Sequence, residues 1–484
     1  MSYTLTLQLN HITFAHEGAH FPLFEELNLQ FYPGWSGIIG ANGTGKSTLL
    51  HLIEGSLRPQ SGEILAQNGL VYYVPQRSDI LPESAEAFMA SCEAYAWQLK
   101  EQLGIGWDWP EHWEELSGGE HKRFQLAVAL FVRPDILLVD EPTNHLDAHT
   151  RNLISEALQD FGGIGLLVSH DRELLTQLCR HTLIMESTGV QMYRCGYQEA
   201  VSAQKETASH LRKSHELASK AVKKLTRQVH AQRQKADRSD ARVSKRHVDK
   251  KDIDTKKKID LAIFTGKDAT DGIALTRMQS RLEQLKEKQG AIGRIFETGI
   301  RIEASRCRKL FPLVREAAPL IPEGKVMNRL VITEGERLGI SGPNGTGKSR
   351  LLDELVTLCG QNDGVLYLPQ EVSLSQSEAI IKAYRRLNKE DASRVMTLIR
   401  RLGSDPKRLL QSSLPSPGES RKLILAMGMI GSPCLIILDE PTNDLDIVAV
   451  EVLENALADY EGGVIIVSHD EAFLKRLTEK RINF

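Results

Sequence analysis

Residues 139–147 read VDEPTNHLD and residues 438–446 read LDEPTNDLD, nearly the same nine residues 299 positions apart. A repeat at that distance constrains the fold more than composition does, because each copy must sit in its own folded unit. The duplication extends in both directions. GANGTGKS runs from Gly40 to Ser47 and GPNGTGKS from Gly342 to Ser349. VPQ ends at Gln76 and LPQ at Gln370, while LLVSHD ends at Asp171 and IIVSHD at Asp470. Lys46 to Glu141 spans 95 residues and Lys348 to Glu440 spans 92; glutamate to histidine spans 29 in both halves. Two homologous α/β domains, residues 1–196 and 311–484, therefore flank a segment of a different kind, residues 197–310.

Each GxxxxGKS run follows an apolar strand and opens a helical pattern, the context a phosphate-binding loop requires. Glycines let backbone N–H groups converge on phosphate oxygens, and the helix N-terminus adds favourable partial charge. The candidate nucleotide ligands are Gly40, Asn42, Gly43, Thr44, Gly45, Lys46, Ser47 and Thr48 in the first loop. In the second they are Gly342, Asn344, Gly345, Thr346, Gly347, Lys348 and Ser349. The lysines reach for β- and γ-phosphates, and the serine hydroxyls for Mg²⁺.

ILLVDE and LIILDE read as strands buried on both faces that end in two carboxylates. Asp140 and Asp439 are candidates to help hold Mg²⁺ through its water shell. Glu141 and Glu440 are placed to polarise a water against the γ-phosphate. His170 and His469, each closing a short apolar strand, are read as γ-phosphate contacts, and Gln76 and Gln370 as Mg²⁺ and water contacts.

The chain resembles the ATP-binding cassette superfamily. LSGGE, Leu116 to Glu120, is similar to its signature loop, and EPTNHLD and EPTNDLD to the ABC-F form, in which one chain carries two cassettes. The resemblance implies two P-loop cassettes packed head to tail within a monomer, with two ATP molecules between them. Lys46, Asp140, Glu141 and His170 would then share one ATP with Ser416 and Gly418 of the second signature. Lys348, Asp439, Glu440 and His469 would share the other with Ser117 and Gly119, and Asp147 and Asp446 would couple the sites. The second signature reads LPSPGES, with Pro417 where the first has Gly118. Proline removes a backbone donor, so the site using Lys46 is expected to behave differently. Phe14 or His16 is the expected adenine neighbour, and Arg350, which stands where Thr48 does, is expected to matter little.

Charge marks the middle segment. Residues 201–290 carry 23 Lys and Arg against 12 Asp and Glu, a net of +11; with a whole-chain net of −3, the remainder is −14. Ala218, Val222, Leu225 and Val229, then Leu275, Met278, Leu282, Leu285 and Ile292, form narrow apolar seams suited to an α-helical hairpin linker. A charged tip spans residues 235–272, with Ile259, Leu261, Ile263 and Phe264 among the charges. Clustered Lys and Arg suit nucleic-acid phosphate. The family resemblance implies a ribosome partner, met through rRNA and P-site tRNA, and a role as a translation factor or an antibiotic-resistance ribosomal protection protein. A tandem ATP-binding subunit of a transporter and a DNA-acting ATPase remain alternatives. No window approaches the ~18 apolar residues of a membrane helix, and no signal peptide is evident, so the cytoplasm is expected. Six scattered cysteines suggest reduced thiols.

Overall fold

The computed structural model describes the chain apart from residues 1–4, 19–20, 67–68, 77–79, 145, 187–188, 244–275, 287–299, 306–309, 316–317, 320–325, 328, 344, 361–363, 405, 407–408 and 410–414. Two compact units emerge: Met1–Ala200 with Thr298–Phe484, and Val201–Glu297.

In the first half a six-stranded sheet runs in the order Val71–Val74, Ile136–Asp140, Ile164–Val168, Gly34–Gly40, Cys179–Glu186, Gly189–Tyr193. All its pairings are parallel except the last. Helices cover such a sheet on both faces, which is why Ile136–Asp140 and Ile164–Val168 are apolar and buried throughout. A three-stranded antiparallel sheet, Phe24–Phe31, Leu7–Phe14 and Ser61–Leu65, adds a second layer. Leu7–Phe14 alternates buried and more open positions, as a strand with one core face should.

The second half repeats the plan with five parallel strands: Val365–Leu368, Leu435–Asp439, Gly463–Val467, Arg337–Ser341, Lys480–Asn483. Ile300, Ile302 and Leu310 are buried in the second half's apolar core, which therefore draws on chain ahead of residue 311.

Parallel pairing brings the carboxyl ends of these strands to one edge of each sheet. Gly40, Asp140 and the turn after Val168 gather there, and Ser341, Asp439 and the turn after Val467 do the same. The helix Lys46–Glu54 fixes its loop by burying Leu49, Leu50, Leu52 and Ile53, worth roughly 1.5–3 kcal/mol apiece.

In the other unit, the helix Tyr197–Val243 keeps Leu225 buried and Ala218, Val222 and Val229 half-buried. Residues 276–286 are helical, with Leu282 buried and Met278 and Leu285 half-buried. Both seams thus turn inward where they are described. Leu275, Ile292 and the tip's apolar residues lie outside the described residues. Among the described residues no helix is long and apolar enough to cross a membrane. Cys92, Cys179, Cys195 and Cys359 are free thiols, whereas Cys434 is disulfide-bonded, a departure from the reduced state expected throughout.

Candidate active sites

Each phosphate loop is closed by its own lysine. Lys46 Nζ donates to the carbonyls of Gly40 and Ala41 (2.8 and 3.1 Å), and Lys348 Nζ to those of Gly342 and Pro343 (2.7 Å each). Thr44 and Thr346 donate their hydroxyls to the same loops, at Ala41 and Pro343 (2.9 Å each). The helices that follow begin at Gly45 (φ 98°) and Gly347 (φ 92°), a left-handed conformation that favours glycine. A Cβ at Gly45 would also press to 2.8 Å from Leu23 Cδ2. Asn344 lies outside the described residues.

The carboxylates stand beside these loops. Asp140 is hydrogen-bonded by Ser47 and by the Tyr73 hydroxyl (3.3 Å), and Asp439 by Ser349. Burial raises the pKa of both aspartates, and the hydroxyls work against it. Asp439 Oδ1 is buried without a hydrogen-bond partner. An orphaned carboxylate oxygen beside a serine hydroxyl is an all-oxygen donor set that suits a hard divalent cation.

Glu141 and Glu440 sit at φ 46° and 45°, strained for a residue with a Cβ. Such backbone persists only where the surroundings over-determine it. Here each glutamate N–H donates to the neighbouring strand, at Val168 (2.8 Å) and Val467 (2.9 Å). His170 and His469 return backbone N–H bonds to the glutamate Oε2 atoms (3.2 and 3.3 Å). The imidazole Nε2 atoms lie 3.3 and 3.5 Å from the Oε1 atoms. Burial holds the ring pKa values down, to about 3 for His170 and about 4 for His469, so both imidazoles are neutral. Burial likewise pushes Glu141 up, and Glu440 to about 7.

Lys348, Ser349, Gln370, Asp439, Glu440 and His469 line one cavity of about 380 Å³. That falls within the usual range for small-molecule pockets. Arg350 lines it too, and pairs with Glu354 at 3.5 Å.

The halves meet head to tail at the first loop. Asn42 donates its backbone N–H to Asp446 Oδ2 and its side-chain amide to the Asp444 carbonyl, both at 3.2 Å. Gly418 packs against the same spot. A Cβ there would stand 2.3 Å from the Asp444 carbonyl and 3.3 Å from Asn42 Nδ2. Ser416 caps the helix Pro417–Ile430 in a capping box with Glu419, as Ser117 caps Gly118–Phe131 with Glu120. Pro417 occupies the first helical position, where a missing N–H breaks no helix bond. Gly119 packs on Leu146 within its own half. Toward the second site, Asp147 acts electrostatically on Lys348 and His469.

Phe14 is a core residue at 6% exposure, whereas His16 is exposed and lies 3.3 Å from the Thr48 hydroxyl, at the mouth of the first loop. Two basic residues escaped the sequence reading. Lys122 donates to the carbonyls of Pro75 and Gln76 (2.6 and 3.0 Å), and Arg421 bonds the carbonyls of Pro369, Gln370, Asp439 and Glu440. These anchor the glutamine loops; the available signal was a basic residue five positions after each signature serine.

Comparison with known proteins decides the family. The ABC transporter family model matches residues 24–144 and again 328–443. The ribosome protection protein VmlR of Bacillus subtilis is 29% identical, over 92% of this chain and 81% of VmlR. The chain belongs to the ABC ATPase family, in its ABC-F branch. The tylosin resistance ATP-binding protein TlrC of Streptomyces fradiae is 28% identical over 94% of this chain and 93% of its own. The translational throttle protein EttA of Mycobacterium tuberculosis is 25% identical over 94% and 87%. In fold, this ABC-F chain is similar to the archaeal ribosome recycling factor aABCE1, with a TM-score of 0.58 at 16% identity over 98% of this chain and 87% of that one. The cassettes are P-loop ATPase domains that bind and hydrolyse ATP.

Proposed function

We propose that this protein is an ATP-gated ribosome factor whose two cassettes close on ATP within one monomeric chain and open after hydrolysis. The observation that carries closure is the contact of Asn42 with Asp444 and Asp446, with Gly418 packed beside it, because it joins one phosphate loop to the turn that caps the opposing helix Ile447–Ala458 and to the start of the opposing signature helix. Ribosome engagement rests on the named relatives, VmlR and EttA, and on the +11 charge of residues 201–290, which suits rRNA and P-site tRNA phosphate. The cytoplasm is the compartment this partner requires.

The chemistry follows from the residues present. Loop N–H groups and Lys46 or Lys348 take the β- and γ-phosphates, and Gln76 and Gln370 flank them. Ser47 with Asp140, and Ser349 with Asp439, would hold Mg²⁺, which neutralises charge on the phosphates. Glu141 or Glu440 orients a water in line with the γ-phosphorus, while His170 or His469 presents a neutral ring to the γ-phosphate. The water oxygen bonds to phosphorus as the bond to the β-γ bridging oxygen breaks, and ADP and phosphate leave. Loss of the γ-phosphate removes what both halves grip.

The test is a Glu141→Gln/Glu440→Gln double variant, which keeps the binding groups but loses the water-orienting carboxylates. With ATP it should stay on ribosomes through sucrose-gradient sedimentation. Migration in the ribosome-free fractions would contradict the proposal.

A further inference from the structure

The second half holds its catalytic backbone with a fork. Arg421 lies in the helix Pro417–Ile430, five residues past Ser416, and is 1% exposed. Its Nη1 donates to the carbonyls of Pro369 (3.1 Å) and Gln370. Its Nη2 donates to those of Asp439 (3.1 Å) and Glu440 (2.7 Å). The glutamine loop and the end of the strand Leu435–Asp439 are thereby bound to one rigid plane. A buried guanidinium is ordinarily matched by a carboxylate. The hydrogen bonds described for this one go to backbone carbonyls, and its buried Nε has no partner, so its bonds hold main chain.

Part of what it holds is strained. Glu440 sits at φ 45°. Its N–H donates to the Val467 carbonyl (2.9 Å) and its own carbonyl accepts from Arg421, so the strained residue is pinned on both flanks. Gln370 and Glu440 line the same cavity as Lys348 and His469. Shifted by the repeat distance of 299, Arg421 becomes Lys122. That ammonium bonds the Pro75 and Gln76 carbonyls (2.6 and 3.0 Å) and the Gln125 amide oxygen (3.4 Å). An ammonium is one bonding point, whereas a guanidinium can grip two segments at once.

We propose that Arg421 is a positioning residue of the second ATP site, which clamps the Gln370 loop to the strand end at Asp439 and Glu440 so that the glutamine and the water-orienting carboxylate keep a fixed separation. This rests on the reading that the second site hydrolyses ATP. The clamp acts within its own cassette, although the helix that carries it also packs Gly418 beside Asn42 at the first loop.

Steady-state ATP turnover of the full chain tests it in two backgrounds. In Glu141→Gln the remaining turnover reports the second site, and in Glu440→Gln the first. Arg421→Lys installs the first half's residue, which keeps the buried charge but loses the fork. It should lower the second site's kcat about 10- to 30-fold with KM within about threefold, the scale of a lost charged hydrogen bond. The first site, which depends on the same helix through Gly418, should keep its kcat within about threefold. Equal losses at both sites would mean that the helix as a whole is disturbed and would overturn the proposal. So would a second-site kcat within twofold of its parent, or a rise in KM alone. A Glu141→Gln protein without turnover would instead overturn the reading of the second site, and the proposal with it.

Discussion

The two candidate sites share their repeats, and Asn344 and His145, the counterparts of Asn42 and Asp444, lie outside the described residues, so the contrast that can be drawn between them is one ion pair across the cassettes. At the first, Asn42 is hydrogen-bonded to Asp446 and to the Asp444 carbonyl, and Asp446 in turn holds the fully buried Lys422. Arg172, two residues past His170, reaches Glu454 of the other half at 2.9 Å, and Glu454 also binds Arg476 at 3.1 Å. At the second, the described cross-cassette influences are the charges of Asp147 and Arg151 on Lys348, Glu440 and His469. The repeat-related counterparts of Arg172, Glu454 and Arg476 are Glu471, Ser155 and Gln177, which cannot rebuild that ion pair. The loop residues are thus the same in both halves, whereas this ion pair belongs to one of them.

Five substitutions break or sharpen this contrast. The largest effect is expected from Gly418→Val, whose side chain has no room between the Asp444 carbonyl and Asn42. In a Glu440→Gln background, which leaves the first site as the reporter, ATP turnover should fall about 100-fold. Asp446→Ala comes next. It strands Lys422, 1% exposed, without its counter-charge, and should cost about 3–5 kcal/mol in denaturant unfolding. Asp147→Ala, at a more open position, should cost about 1 kcal/mol, the ordinary loss of a helix cap. Glu454→Gln should destabilise by about 1–3 kcal/mol, because a 3%-exposed carboxylate is exchanged for an amide facing two arginines that are themselves partly solvated. The smallest effect belongs to Pro417→Gly. It returns an N–H to the signature that faces the first loop and should tighten ATP binding there by about two- to tenfold, read by equilibrium titration in the same background.

Much of this was legible in the chain because the chemistry is local. GxxxxGKS fixes a strand, a loop and a helix start within a dozen residues, and the 29-residue interval from glutamate to histidine is two adjacent strands of one parallel sheet. Other features depend on pairs that no local pattern encodes. The family resemblance names Asp446 as a coupling residue, but no local pattern tells that its partner is Asn42, 404 residues away. The reading of Phe14 as an adenine neighbour came from its place upstream of the loop, but the β-strand period turns that ring into the core and leaves His16 outside. The positive φ of Glu141 and Glu440 is likewise invisible, since strain there is imposed by the adjoining strand rather than by residue type.

The most direct test is the amount of nucleotide retained by the Glu141→Gln/Glu440→Gln protein after desalting from Mg-ATP, with its mass in solution measured alongside. Two cassettes closing on each other within one chain should keep two ATP molecules per monomer. One nucleotide per chain, or two that are kept only when chains dimerise, would contradict the account.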